Sequence, residues 1–213
     1  MTEHNISVSR RGRLHMRFQQ ATRLDRRWSM GVALPDNPLD THAQEYWAAR
    51  VLSHLGDSWV WWLVAGLLWR RARPTDGAVP GWRGNPPWLT AGRVRLAGWL
   101  LTLLANTTLV MILKHTVQRP RPDSDRLLYG GGPDQFSFPS GHAARMGVLA
   151  VWAWRYGNVA GWFTSLLALL VCWTRVRLRI HYLSDVVIGL GIGAVMGIAG
   201  LVWRRHLHPK DSS

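Results

Sequence analysis

Five apolar runs, separated by polar stretches, constrain the fold of this chain more than any other feature. Within its 213 residues, the runs cover about 51–69, 96–113, 143–156, 159–173 and 186–203. A helix that crosses a bilayer needs about 20 residues, so the shorter runs must be continued by the residues that flank them. The alternative, a soluble protein with a buried helical core, is disfavoured because soluble helices normally have a polar face. The pattern therefore predicts an all-α integral membrane bundle with about five transmembrane helices.

Tryptophan and glycine usage supports this prediction. The chain has 14 tryptophans, and several lie near the ends of runs: Trp61, Trp62, Trp69, Trp99, Trp173 and Trp203. Tryptophan is enriched at the membrane–water boundary, where its ring is buried and its N–H stays hydrated. The last run carries Gly189, Gly191, Gly193, Gly197 and Gly200. In a membrane, glycines of this kind suit close packing of helices.

The polar ends of the chain divide it into three parts. Residues 1–50 form a basic arm, for which two interpretations stay open: an amphipathic helix on anionic lipid, or a disordered segment. Residues 51–203 hold the membrane domain, and residues 204–213 form a polar tail. The formal net charge of +14 is compatible with nucleic acid, anionic lipid or a phosphorylated substrate as the partner.

Ionisable residues collect at particular ends of the runs, and such residues at membrane depth are functional candidates. If the runs are traced as five spans, segments 114–142 and 174–185 lie on the same face of the membrane. In the first segment, Lys114 and Arg121 can converge on one anion because the neighbouring prolines hold an extended turn. Taken alone, these two cations are better explained as a basic stop after a membrane helix.

The second group is Pro139-Ser140-Gly141-His142, which leads into the third run. A helix that begins there would offer backbone N–H groups to an anion, and Ser140 would add a hydroxyl donor. His142 could pass a proton to a leaving oxygen. An ordinary helix N-cap with an interfacial histidine explains this group equally well when it is taken alone.

The third group contains Arg175, His181 and Asp185. If the stretch is helical, His181 and Asp185 share one face because they are four residues apart. A carboxylate on one ring nitrogen fixes the tautomer and makes the other nitrogen a better nucleophile. A surface His–Asp pair is the alternative.

Together, the three groups resemble the signature of the type 2 phosphatidic acid phosphatase superfamily. That superfamily includes bacterial lipid and polyprenyl pyrophosphate phosphatases, glucose-6-phosphatase and the vanadium haloperoxidases. The resemblance implies that His181 is the nucleophile, that Asp185 orients it, and that His142 protonates the leaving oxygen and then activates water. It also implies a phosphate-binding set, which is Lys114, Arg121, Ser140, Gly141 and Arg175.

Two features of the chain depart from the family pattern. The third motif usually begins Ser-Arg, and here it begins with Thr174, which keeps a hydroxyl donor. Membrane members often have six spans, whereas five are predicted here. No metal or cofactor is expected, since the sequence offers no carboxylate cluster for magnesium and relatives of this kind work without one.

The resulting expectation is a membrane phosphatase that acts on a lipid phosphate or polyprenyl pyrophosphate through a phosphohistidine. Candidate substrates are of the undecaprenyl pyrophosphate, phosphatidic acid or phosphatidylglycerol phosphate type. The alternatives are a phosphotransferase with a lipid or sugar acceptor, a haloperoxidase, and a non-enzymatic basic protein that binds membrane or nucleic acid. The predicted spans argue against the haloperoxidase. The clustering of candidate groups on one face argues against the non-enzymatic basic protein.

The distribution of cations predicts the orientation in a bacterial inner membrane. Arg70, Arg71, Arg204 and Arg205 directly adjoin spans on the face opposite the candidate site. Cytoplasmic segments near spans carry an excess of Lys and Arg. We therefore expect the site to face the extracytoplasmic side.

Overall fold

The computed structural model describes residues 22–71, 91–122 and 135–207. Helix α1 covers 22–32, and short 3₁₀ turns lie at His54–Gly56 and Trp154–Tyr156. The other helices are α2 (Pro38–Thr41), α3 (Ala43–Ser53), α4 (Ser58–Arg71), α5 (Ala91–Val117), α6 (Gly141–Ala153), α7 (Asn158–Arg177) and α8 (Leu183–Leu207). These ranges contain no strand, so the predicted all-helical class is confirmed for the part of the chain that the structure describes.

Three helices among the described residues are long and apolar enough to cross a membrane: Gly92–Val117, Asn158–Arg177 and Leu183–Arg205. The pair Ala43–Gly56 and Ser58–Arg71 is bent by 51° and meets the same criteria when taken together. The outward faces of these helices are apolar and exposed, as at Phe163 and Val195. The protein is an integral membrane protein, and the number of five spans remains a prediction.

Helix α6 is short, with 13 residues, but it forms the centre of the bundle and packs against α5, α7 and α8. Its contact with α8 brings the two backbones together. A Cβ placed on Gly193 would lie 1.8 Å from the carbonyl oxygen of Ala144, and one on Gly147 would lie 2.4 Å from the carbonyl oxygen of Leu190. Gly193, in the last run, therefore serves the close helix packing that the sequence suggested.

Several functional segments meet at one end of this bundle. Helices α5 and α7 end there, and α4, α6 and α8 begin there. The described part of the basic arm lies at the same end: the Leu34 N–H donates to the Arg177 carbonyl at 2.9 Å, and Arg177 donates to the Val32 carbonyl at 2.8 Å. Residues 22–50 are thus largely helical and in contact with the bundle. Residues 1–21 and 208–213 lie outside the described residues, and the predicted domain boundaries remain predictions.

The α6–α8 contact predicts a difference between two neighbouring glycines. Gly193→Ala should lower the apparent melting temperature in detergent, because the added methyl meets backbone that cannot move aside; overpacking typically costs about 1–3 kcal/mol. Gly191→Ala is the matched control, since a Cβ there meets nothing within 4 Å. Equal melting temperatures for the two variants, measured by tryptophan fluorescence, would contradict the packing.

Candidate active site

Two of the predicted phosphate-binding cations are almost fully buried at this end of the bundle. Lys114, in the last turn of α5, is 2% exposed, and Arg175, in the last turn of α7, is 1% exposed. The Lys114 ammonium donates to the Phe136 carbonyl at 2.6 Å, and Arg175 donates to the Ser53 hydroxyl at 2.5 Å. Removing a cation from water is costly, so two of them buried at the ends of helices that both pack against α6 suit an anionic ligand.

Arg121, the third predicted cation, lies next to the predicted nucleophile. Its guanidinium donates to the carbonyl of Ile180 at 3.2 Å. Ile180 is the residue directly before His181. The structure therefore brings Arg121 and His181 together although 60 residues separate them in sequence, as the predicted arrangement requires.

The segment Ser140-Gly141-His142 begins α6 as predicted. Ser140 has an extended backbone and is the N-cap, with its hydroxyl accepting from the Ala143 N–H at 3.5 Å. The Ser140 N–H donates to the carbonyl of Asp185 at 3.0 Å. This backbone bond ties the start of α6 to the start of α8, so the second and third sequence motifs are in direct contact.

His181 and Asp185 lie side by side and are both buried, at 1% and 0% exposure. His181 lies in the turn that precedes α8, not inside a helix. Its Nδ1 is 3.6 Å from Asp185 Oδ2, a contact between ion-pair partners that is longer than a hydrogen bond. Oδ2 accepts from the Tyr182 N–H at 2.9 Å, so the carboxylate also caps the start of the helix.

Thr174, which stands where the family usually has serine, is buried at 2% exposure. Its hydroxyl donates to the carbonyl of Val171 at 2.7 Å. The hydroxyl therefore bonds to its own helix in this structure, and the donor that the sequence suggested points back along α7.

Sequence reasoning missed the partner of His142. The Nε2 atom of His142 lies 2.6 Å from Asp57 Oδ1, and the other oxygen of Asp57 lies 2.6 Å from His54 Nδ1. Trp59 donates to the same oxygen at 3.2 Å. A signal was present: Asp57 is an acidic residue inside the first apolar run, where ionisable side chains are expensive.

The backbone before Asp57 also packs on this imidazole. A Cβ on Gly56 would lie 2.6 Å from His142 Cδ2, and Arg145 donates to the Gly56 carbonyl. The segment between α3 and α4 therefore positions His142 from one side, while α6 carries it from the other.

Sequence reasoning also left Arg119 without a role. Its guanidinium donates to Asp185 Oδ1 at 2.7 Å, and its central carbon lies 4.0 Å from the centre of the Tyr182 ring. Burial raises the pKa of Tyr182, so the ring remains neutral and offers its face to the cation. Arg119 and Arg121 are two residues apart but contact different parts of the site.

The fold and the site together define a helical membrane protein with buried cations and carboxylate-paired histidines at one end of the bundle. The model of the PAP2 superfamily matches residues 95–208. The decaprenylphosphoryl-5-phosphoribose phosphatase of Mycobacterium tuberculosis is 33% identical over 150 residues, which are 70% of this chain and 75% of that protein. The chain therefore belongs to the PAP2 superfamily and is a lipid phosphatase, as the sequence motifs predicted.

Solved structures share the fold. A transmembrane PAP2-type phosphatidylglycerolphosphate phosphatase of Bacillus subtilis superposes with a TM-score of 0.67 at 20% identity, covering 88% of this chain and 87% of that one. LpxE of Aquifex aeolicus superposes with a TM-score of 0.57 at 22% identity, covering 75% of this chain and 87% of that one. At these identities the likeness supports the fold alone.

The contact between Asp57 and His142 predicts a selective loss of turnover. Asp57→Asn should lower kcat for phosphate release about 10- to 100-fold, which is less than the loss of a whole general acid, about 10²- to 10⁴-fold. KM should change little, because Asp57 contacts no predicted phosphate-binding side chain. Trp59→Phe, which removes only the exposed N–H donor to the same carboxylate, is the control and should keep nearly full turnover. A larger effect on KM than on kcat would count against this role of Asp57.

Proposed function

We propose that the protein hydrolyses a phosphate monoester on a polyprenyl-linked lipid through a phosphohistidine at His181. The observation that carries this proposal is the burial of His181 beside Asp185, at the same end of the bundle as Lys114 and Arg175. The polyprenyl class is supported by the mycobacterial relative, whose name describes a phosphate on a decaprenylphosphoryl ribose. That substrate differs from the undecaprenyl pyrophosphate, phosphatidic acid and phosphatidylglycerol phosphate types that the sequence suggested.

In the first step, His181 attacks phosphorus and the bond to the lipid oxygen breaks. Because Asp185 lies on the Nδ1 side of the ring, Nε2 is the attacking atom. The phosphoryl group spreads its charge over three equatorial oxygens. Lys114, Arg121 and Arg175 stabilise that charge, and the Ser140 hydroxyl and the Gly141 N–H add neutral donors.

His142 supplies the proton that the leaving oxygen needs. Asp57 lies 2.6 Å from Nε2 of His142 and so orients the ring for this step. After the lipid alcohol has left, His142 takes a proton from water as the water oxygen attacks the phosphohistidine. Phosphate is released, and both histidines return to their starting protonation states.

The orientation proposed for the protein has the site on the extracytoplasmic side of a bacterial inner membrane, with α6 counted as the third of five spans. It is supported by the basic residues at the opposite end of the bundle, which are Arg70 and Arg71 at the end of α4 and Arg204 and Arg205 at the end of α8. Basic residues next to spans favour the cytoplasmic side.

A substrate panel tests the function. Purified protein in EDTA should release phosphate from a polyprenylphosphoryl pentose phosphate faster than from phosphatidic acid, phosphatidylglycerol phosphate or undecaprenyl pyrophosphate. His181→Ala should lower this release by at least about 10³-fold because the nucleophile is lost. His42→Ala is the matched histidine control, since its ring contacts the hydroxyl of Thr41.

The outcomes of this panel separate the alternatives. Normal turnover by His181→Ala would refute the phosphohistidine. Release that depends on an added lipid or sugar alcohol, with the phosphate found on that alcohol, would identify a phosphotransferase. Preference for a glycerolipid would overturn the polyprenyl class while leaving the chemistry intact.

Thiol labelling tests the orientation. Cys172 is the only cysteine and is buried, so Cys172→Ala provides a background for single cysteines. Asp36→Cys at the site end, where the side chain is 80% exposed, should react with a membrane-impermeant maleimide in intact cells. Tyr156→Cys at the opposite end, where the side chain is 75% exposed, should react only after lysis. The reverse pattern would place the site on the cytoplasmic side.

A further inference from the structure

Helix α1 binds the start of α8 through two side chains that are one helical turn apart. Ser29 Oγ accepts from the Leu183 N–H at 2.8 Å, and Asp25 Oδ1 accepts from the Ser184 N–H at 3.1 Å. Asp25 Oδ2 also accepts from the Ser184 hydroxyl at 2.5 Å. The first N–H groups of a helix have no partner inside it, so α1 caps α8 from about 154 residues earlier in the chain.

Arg119 joins this cap to the candidate active site. Its Nη2 donates to Asp25 Oδ2 at 2.7 Å, and its Nη1 donates to Asp185 Oδ1 at 2.7 Å and to the Ser184 hydroxyl at 2.7 Å. The side chain of Arg119 is 15% exposed, that of Asp25 is 14% exposed, and that of Asp185 is fully buried. Charge-assisted hydrogen bonds of this length in a partly dry site are strong and directional.

The contacts of Arg119 with Asp25 and Asp185 fix the orientation of the Asp185 carboxylate beside His181. Because Arg119 holds Oδ1 of Asp185, the other oxygen is the one that lies toward His181 and accepts from the Tyr182 N–H. Asp25 shares the charge of Arg119, so the guanidinium is held between two carboxylates. Without Asp25, Nη2 of Arg119 would lose this carboxylate, and the guanidinium would be held less firmly against Asp185.

We propose that Asp25, in the N-terminal arm, is a positioning residue for the phosphatase reaction: it holds Arg119 against Asp185 and so fixes the carboxylate that orients His181. This inference rests on the proposed function of His181. It makes α1 part of the active-site assembly. The arm therefore contributes to the site, and truncation past residue 25 should impair catalysis.

A double-mutant cycle on purified full-length protein tests this positioning. Asp25→Asn should lower kcat about 10-fold, which corresponds to a weakened hydrogen bond to a charged group, while KM stays within about twofold because the predicted phosphate-binding side chains are untouched. Arg119→Gln should lower kcat at least as much. The double variant should be no slower than Arg119→Gln, because Asp25 acts through Arg119.

A matched control comes from the same arm. Asp36 pairs with Arg179 at the exposed rim and does not contact Arg119, so Asp36→Asn should keep nearly full kcat. Asp25→Glu, which retains the charge, should recover part of the loss. Hydrogen exchange adds a readout that does not depend on activity: Asp25→Asn should speed exchange of the amides at residues 183–185, and Asp36→Asn should not.

Three results would overturn the inference: full kcat in Asp25→Asn, losses that multiply in the double variant, or an equal loss in Asp36→Asn. The last two would mean that the arm acts by general stabilisation. Failure of the proposed function is distinguishable, because it would appear as undiminished turnover in His181→Ala. If the wild-type protein released no phosphate from the panel, unchanged exchange in Asp25→Asn would still refute the α1 contact.

Discussion

The backbone contact between α6 and α8 holds both the core and the candidate site in place. Glycines allow it, since a Cβ on Gly193 or Gly147 would overlap the facing helix. The contact continues to the end of the bundle, where a Cβ on Gly189 would lie 2.6 Å from the carbonyl oxygen of Ser140. The Ser140 N–H then reaches the Asp185 carbonyl. The distance between the predicted phosphate-binding motif at the start of α6 and the predicted nucleophile segment before α8 is therefore set by helix packing.

The cost of burying charge explains why the site lies where it does. Lys114 and Arg175 occupy the last turns of α5 and α7, where the negative end of each helix dipole favours a cation. The N-terminus of α6 faces the same region and favours an anion. The C-terminal ends of α5 and α7 thus reduce the cost of burying the cations, and the N-terminus of α6 favours binding of a phosphoryl group there. A site in the middle of a span would lack both contributions.

The sequence predicted the helical class correctly because that class depends on local patterns, whereas the roles of the motif residues remain predictions. Runs of apolar residues reveal helices, and the spacing of His181 and Asp185 brings them together even though a turn replaces the expected helix. Asp57 could have been found, since an acidic residue inside an apolar run is costly. Asp25 could not, because its contact with Arg119 joins residues 94 apart and no periodicity marks it.

The two histidines are distinguished by the origin of their carboxylates. His181 has Asp185, four residues away on the same segment, and that carboxylate is shared with Arg119. His142 has Asp57, which lies between α3 and α4, 85 residues earlier, and is shared with His54. The two rings therefore have different carboxylate environments, as the proposed division between a nucleophile and a general acid requires.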